Sequence, residues 1–344
     1  MINTIKYIKL LFCTIVCCLA FSRCDTVHEF PDENAYNPYL ININLLIDID
    51  MNMDSDTIYQ TYAEMLNGDY DIRYIIDIYE TDPERTSSVS NRVKHIVKTE
   101  GSIINRGTYR VEEKLSLPAK DYKVIAWIDF VDKQTNSDKY YNTADLQNIS
   151  IIEQANGRTY GYNTTKDAFT GIIDMNLVEY DRQRFVHRDI VVPVKRPFAV
   201  YRIITTDIEQ YITYHQPLSY SSIMPASTLL VYNLFLPVGY NAFLHRPDNF
   251  KTGINYTYNI TELIPQKEAI IASDIVFVDD DTFYSVNFEI LSADNEHINT
   301  INGLNINLKR NKMTIIRGEF LTKNINDGGI GIDDGFGEEI IINL

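Results

Sequence analysis

Hydrophobic and polar residues alternate over short stretches along most of this chain, a period-two pattern that predicts half-buried β-strands. The stretch 39–48 (YLININLLID) shows the pattern most clearly, because aliphatic residues occupy every second position and asparagines stand between several of them. The aliphatic positions on one face are Ile41, Ile43, Leu45 and Ile47. This stretch is the predicted first strand.

Similar stretches, separated by Gly, Pro, Asn and Asp, recur to the end of the chain. The further strand candidates are 71–80, 109–117, 122–131, 188–194, 198–206, 228–236, 270–278, 283–291, 304–308, 313–320 and 338–343. One short helix is predicted over 207–215 (DIEQYITYH), with Asp207 at its N-cap position. Many short strands and few helical stretches predict an all-β fold with one β-sandwich in each half.

A domain boundary is predicted at VVPVKRP, because Pro193 and Pro197 lie on either side of the transition from one folding unit to the next. It divides the chain into an N-terminal β-sandwich over 39–195 and a C-terminal β-sandwich over 196–344. A chain of 344 residues is long enough for two domains. Residues 24–38 (CDTVHEFPDENAYNP) contain acids, asparagines and two prolines with little to bury, which predicts an extended tether before the first strand.

The first 23 residues are predicted to be an export signal that is removed. Lys6 and Lys9 give this segment a positive start, and an apolar run follows over 10–20 (LLFCTIVCCLA). A run of that length suits a signal peptide and is too short to span a bilayer.

The sequence contains four cysteines, all of them near the N-terminus: Cys13, Cys17, Cys18 and Cys24. Cys24 follows the apolar run, as the acylated cysteine of a bacterial lipoprotein does, so we predict a palmitate-bearing lipid anchor there. Burial of acyl chains contributes about 0.8 kcal/mol per methylene, which holds a protein on a membrane. Arg23 stands where a small residue is usual. Two alternatives therefore stay open: cleavage after Ser22 without lipidation, or lipidation at Cys17 or Cys18.

The charge balance is acidic, with 31 Lys and Arg against 47 Asp and Glu and a net charge of −16. A nucleic-acid-binding protein needs a basic face to displace counterions from phosphates, and the sequence offers none. We therefore expect no nucleic-acid partner.

The sequence lacks the motifs of common catalytic sites, such as a nucleophile elbow, a zinc-protease helix or a phosphate-binding loop. Its six histidines are scattered, so neither a catalytic residue nor a cofactor is predicted. Two acidic stretches, 48–56 and 327–335, carry oxygen side chains or glycines as calcium loops do. The first has Met53 and Tyr59 where such a loop needs Gly and Glu, and the acids of the second do not match the repeat. Solvated loops are favoured over metal sites.

Several short sequence segments together resemble those of a known family. They are CDTVHEFPDE (24–33), LPAKDYKVIAWIDFVD (117–132), KDAFTG (166–171), KRPFAVYRIITTD (195–207), YNLFLPVGYN (232–241), KMTIIRGEFLT (312–322) and GGIGIDDGF (328–336). The chain resembles the Mfa-like fimbrial lipoproteins of Bacteroidales, a branch of the fimbrillin superfamily. The resemblance implies two tandem transthyretin-like β-sandwich domains, a lipidated cysteine at Cys24 and a non-enzymatic protein exposed on the outer membrane. It also implies subunits of a type V pilus as partners.

Members of that family differ in the fate of the first strand. Stalk subunits lose it to a trypsin-like protease and accept a strand from the next subunit, whereas anchor subunits keep both strand and lipid. Here residues 25–72 contain no lysine or arginine, and the first basic residue, Arg73, falls inside a strand candidate. We therefore predict an anchor or accessory subunit that acts through β-strand pairing. The last strand (EEIIINL, 338–344) is expected to close its own sheet, with donation to a partner as the alternative.

A glycan-binding surface lipoprotein for nutrient capture is the alternative function. It would present tyrosines and the single tryptophan, Trp127, on an exposed face. Trp127 lies in the apolar sequence KVIAWIDFV, which instead favours a place in the core.

Overall fold

The protein is described by a computed structural model. The structure describes residues 40–50, 70–81, 91–100, 108–162, 164–181, 183, 186–215, 223–260, 267–323 and 339–343. Several predicted features lie outside these residues: the signal peptide, the tether, the lipidation candidates, residues 51–56 of the first acidic stretch and all of 327–335. Within the described part of the chain, no helix is long and apolar enough to cross a membrane.

The first half of the described chain folds into strands, with two short 3-10 turns at Thr164–Lys166 and Val178–Tyr180. The strands are β1 (Leu40–Asp50), β2 (Tyr70–Glu80), β3 (Arg92–Glu100), β4 (Thr108–Pro118), β5 (Asp121–Asp132), β6 (Tyr141–Asn142), β7 (Ile149–Ile151), β8 (Ala168–Asn176) and β9 (His187–Val194).

The described part of the second half also consists mainly of strands, and it includes a short helix, α1 (Ile208–Tyr214). Its strands are β10 (Phe198–Thr205), β11 (Pro225–Tyr232), β12 (Leu236–Asn241), β13 (Arg246–Lys251), β14 (Asn255–Asn259), β15 (Ala269–Phe277), β16 (Asp281–Ser292), β17 (His297–Lys309), β18 (Met313–Gly318) and β19 (Glu339–Asn343). The predicted all-β class is confirmed.

Pairing among the described strands gives five sheets. Their strand orders are β4-β1-β9, β3-β2-β5-β8, β13-β12-β7-β6, β15-β10-β18-β19 and β14-β11-β16-β17. The last strand, β19, pairs in parallel with β18 of its own sheet, as expected for it. In the third sheet β7 from the first half pairs with β12 from the second, so one sheet takes strands from both halves.

Buried hydrophobic residues form two core clusters, and β10 separates them. Residues on one face of β10, such as Phe198 and Val200, belong to the first cluster, whereas Ala199 and Tyr201 on the opposite face belong to the second. A strand that is buried on both faces is predominantly apolar, and in FAVYRIIT every residue except Arg202 is buried. The proposed division at residues 195 and 196 stays a prediction, because the two clusters meet at the sheet that follows it.

The predicted helix is confirmed, with Asp207 at its N-cap position, but the Asp207 side chain makes no hydrogen bond within that cap. Its carboxylate instead accepts hydrogen bonds from the backbone N–H groups of Leu321 and Thr322, at 3.1 and 2.7 Å. This buried carboxylate therefore connects the start of the helix to the segment that follows β18.

Candidate functional site

The first strand, β1, is the central strand of its sheet. It pairs in antiparallel register with β4 from Leu40 opposite Pro118 to Asp50 opposite Thr108. Its other edge pairs in parallel with β9, from Asn42 opposite His187 to Ile49 opposite Val194. Backbone partners therefore occupy both edges of β1 over most of its length.

The inner face of β1 forms part of the first core. Its five aliphatic side chains are at most 3% exposed. They are Ile41, Ile43, Leu45, Ile47 and Ile49. Burial of side chains of this size contributes roughly 2 kcal/mol each, on the order of 10 kcal/mol together before entropy is subtracted. Loss of β1 would leave a groove between β4 and β9 and uncover the core.

The outer face of β1 carries polar contacts that agree with the same register. Arg110 on β4 pairs with Asp48, and its Nη2 donates to the Asp48 Oδ2 at 2.7 Å. Ser116 Oγ donates to the side-chain oxygen of Asn42 at 2.8 Å. These contacts are exposed to solvent, so they contribute little stability. They nevertheless disfavour a one-residue slip, which would turn the aliphatic face outward.

Arg73 is the first basic residue after the tether, and the structure places it inside β2. Its backbone lies between Thr99 of β3 and Asp129 of β5, and the residue is only 6% exposed. Its guanidinium donates from Nε and Nη2 to the two carboxylate oxygens of Asp129, at 2.9 and 2.6 Å. Nη1 donates to Asp138 Oδ1 at 2.6 Å. The prediction that Arg73 lies in a strand is confirmed.

Burial by itself lowers the pKa of Arg73. The hydrogen bonds and negative charges of Asp129 and Asp138 outweigh that effect and raise the pKa above its ordinary value. The guanidinium therefore remains charged and paired, and a trypsin-like protease, which must bind an extended chain with a free basic side chain, has no access to it.

Two further buried ion pairs join the first half of the chain to the second. Lys166 Nζ lies 2.8 Å from Asp274 Oδ1, and both residues are at most 2% exposed. The next residue, Asp167, accepts hydrogen bonds from Arg196 Nε and Nη2 at 2.9 and 2.8 Å. Arg196 also lies over the ring of Phe169, 4.7 Å from its centroid. Three of these four charged residues lie in the sequence segments KDAFTG and KRPFAVY. Which residue pairs with which could not be predicted from the sequence.

Trp127 lies fully buried in β5, as predicted for a core residue. Its ring packs edge-on against Tyr141, with centroids 5.5 Å apart. The exposed tryptophan that a glycan-binding platform would use is therefore absent at this position.

The structure does not bring together the five histidines that it describes. His95 Nδ1 lies 2.6 Å from the buried carboxylate of Asp77, while His187 and His297 are exposed on other strands. Among the described residues, no group of three or more His, Cys, Asp or Glu side chains could hold a metal ion. Cys24 lies outside the described residues, so its lipidation stays a prediction.

Several solved structures match this chain. A candidate adhesin from Bacteroides ovatus is 12% identical at a TM-score of 0.44, over 76% of this chain and 78% of its own. A candidate polysaccharide-binding protein from Bacteroides thetaiotaomicron is 10% identical at a TM-score of 0.44, over 76% and 80%. The fimbrial anchor protein Mfa2 from Porphyromonas gingivalis is 8% identical at a TM-score of 0.40, over 75% and 81%.

No curated protein matches the sequence. The match to a protein family runs from residue 37, just before β1, to the last residue, 344. It therefore spans every described strand of both cores. The chain belongs to the family of unknown function DUF6562.

Proposed function

We propose that this protein is a non-enzymatic surface lipoprotein that anchors or accompanies a fimbrillin-type pilus and retains its first strand. The observation that carries the proposal is the position of β1, which fills the groove between β4 and β9 with its aliphatic face buried. A subunit that receives a strand from a neighbour needs that groove empty. A subunit that keeps the groove filled ends or flanks an assembly.

The distribution of basic residues supports retention of β1. Residues 25–72 offer no lysine or arginine, and Arg73 is held by Asp129 and Asp138 inside a paired strand. A protease of trypsin-like specificity has no cleavage site between Cys24 and that buried position. Contact with pilus subunits then takes place at another sheet edge, where unpaired backbone groups can add a strand.

The anchor in this proposal is the lipid on Cys24 in the outer membrane. Residues 25–39 separate that cysteine from the start of β1, and an extended chain of this length reaches about 50 Å. The acids and prolines of this segment favour an extended tether, which would hold the folded body away from the lipid surface.

Deletion of the gene, followed by electron microscopy of the cells, tests the pilus role. We expect pili to be released into the medium or changed in number and length, and expression of the wild-type chain to restore them. A complemented strain that carries Cys24→Ser separates anchoring from assembly, because it should make pili and shed them. Pili of unchanged number, length and attachment in the deletion strain would contradict the proposal.

A further inference from the structure

Lys166 and Asp274 form a buried pair in which an amine contacts a carboxyl group, the two groups from which an amide bond is made. Lys166 Nζ lies 2.8 Å from Asp274 Oδ1, and it also donates to the carbonyl oxygen of Tyr160 at 2.5 Å. The Asp274 carboxyl is held from two sides. The backbone N–H of Ile275 donates to Oδ1 at 2.7 Å, and the hydroxyl of Tyr232 donates to Oδ2 at 2.9 Å.

A chain of buried hydroxyls continues from Tyr232. The Tyr201 hydroxyl lies 2.9 Å from that of Tyr232 and 2.9 Å from that of Tyr256. All three tyrosines belong to the second core and are at most 2% exposed. The amine and the carboxyl therefore meet where water is excluded and where a proton can pass along hydroxyl groups.

We propose that Lys166 and Asp274 form an intramolecular isopeptide bond. One proton of the ammonium passes across the 2.8 Å contact to Oδ1, and the neutral Nζ attacks Cγ of Asp274, with the Tyr232 hydroxyl donating to Oδ2 as negative charge develops there. A second proton passes from Nζ to Oδ1, which leaves as water, and the third proton stays on the amide nitrogen. One N–C bond forms, one C–O bond breaks and one water is released, with no change in oxidation state.

Burial favours the product, because an ion pair withdrawn from water becomes a neutral amide. The pair Lys123 and Asp174 provides the contrast within the same chain. Its Nζ–Oδ1 distance is 2.7 Å, but the Asp174 side chain is 82% exposed, so water stabilises both charges. The buried pairs of Arg73 and Arg196 do not react in this way, because a guanidinium is not a nucleophile at neutral pH.

The bond would link the turn before β8 to the middle of β15. It would add a covalent cross-link between side chains of the two halves of the chain. No disulfide can supply this link, because the sequence after Cys24 contains no cysteine. The inference goes beyond the pilus role and does not rest on it.

Tryptic peptide mapping of the purified full chain by mass spectrometry tests the bond. Trypsin does not cut after an acylated lysine. We therefore expect peptide 159–182 joined to peptide 268–309, at the sum of their masses less one water, with fragment ions that place the junction at Lys166 and Asp274. Wild-type protein that yields 159–166 and 167–182 as separate linear peptides, with no joined species, would overturn the proposal.

Two variants complete the test. Lys166→Arg keeps the cation but removes the amine, and it should abolish the joined peptide and restore the mass of one water. Lys123→Arg alters the exposed pair and should leave the joined peptide intact. A loss of water that persists in Lys166→Arg would place the dehydration elsewhere and also overturn the proposal. If Lys166→Arg does not fold, the wild-type peptide map decides by itself.

Discussion

Arg73 and Asp129 lie directly opposite each other on β2 and β5 and form a buried, bidentate ion pair, with Nη2 and Oδ2 separated by 2.6 Å. The pair holds the first lysine or arginine after Cys24 inside the sheet. It therefore connects the long stretch without lysine or arginine to the proposed retention of β1. Because both side chains are buried, substitution of either one leaves the charge of the other without its partner.

We predict that Arg73→Met destabilises the protein by about 3–5 kcal/mol, because it leaves the buried Asp129 carboxylate without its counter-charge. Equilibrium denaturation in urea measures the loss. The double variant Arg73→Met with Asp129→Leu should recover much of it, since both charges are then removed together. A single variant as stable as the wild type would mean that Asp129 is not held by Arg73.

Truncation of the inner face of β1 should destabilise the protein more than truncation of the outer face. Leu45→Ala removes a side chain that is 0% exposed, and we expect a loss of about 2–5 kcal/mol. Leu46→Ala is the matched control, because the adjacent leucine is half-buried on the opposite face and should cost less. Equal losses for the two variants would contradict the register of β1.

Alkaline pH should weaken the fold through buried tyrosines. Burial raises the pKa of Tyr284 from its ordinary value of 10 to about 12, so the folded state keeps a proton that the unfolded state loses. Its contribution to stability is intact below pH 10 and falls between pH 10 and 12, by about 1.4 kcal/mol per pH unit. Urea unfolding at pH 9 and pH 11 should show a smaller decline for Tyr284→Phe. Tyr214→Phe, at an exposed position, should decline as the wild type does.

Lipidation at Cys24 predicts that palmitate labels the wild-type protein and not Cys24→Ser. Gel fluorography of cells fed labelled palmitate measures this directly. The double variant Cys17→Ser with Cys18→Ser should keep the label of the wild type, because those cysteines are predicted to be removed with the signal peptide. Equal label in wild type and Cys24→Ser would show that the anchor lies elsewhere.

Strands with a clear alternation could be predicted to within one or two residues. The candidate 71–80 became Tyr70–Glu80, and 122–131 became Asp121–Asp132. β3 was missed because it lies at the edge of its sheet and nearly all of its residues are exposed, so no apolar face marks it. The candidate 228–236 began three residues late and ran four residues past the end of β11 (Pro225–Tyr232). The chain turns at Asn233, whose side chain donates to Ser285 and Asn287 across the sheet.

The position of Arg73 in a strand was predictable, because local alternation surrounds it. Its partners were not, since Asp129 is 56 residues away in sequence and nothing near either residue marks the pair. The same holds for Lys166 and Asp274, which are 108 residues apart. Long-range pairs of this kind depend on sheet order and register, which a single sequence does not supply.

N-terminal mass mapping of protein released from the cell surface tests the retention of β1 most directly. We expect peptides that cover residues 24–50, with β1 continuous with the rest of the chain. Met53→Arg, which adds a basic residue just after β1, should create a cleavage site for a trypsin-like protease, whereas Met53→Gln should not. Surface protein of wild-type sequence whose N-terminus begins after residue 50 would contradict the proposal that β1 is retained.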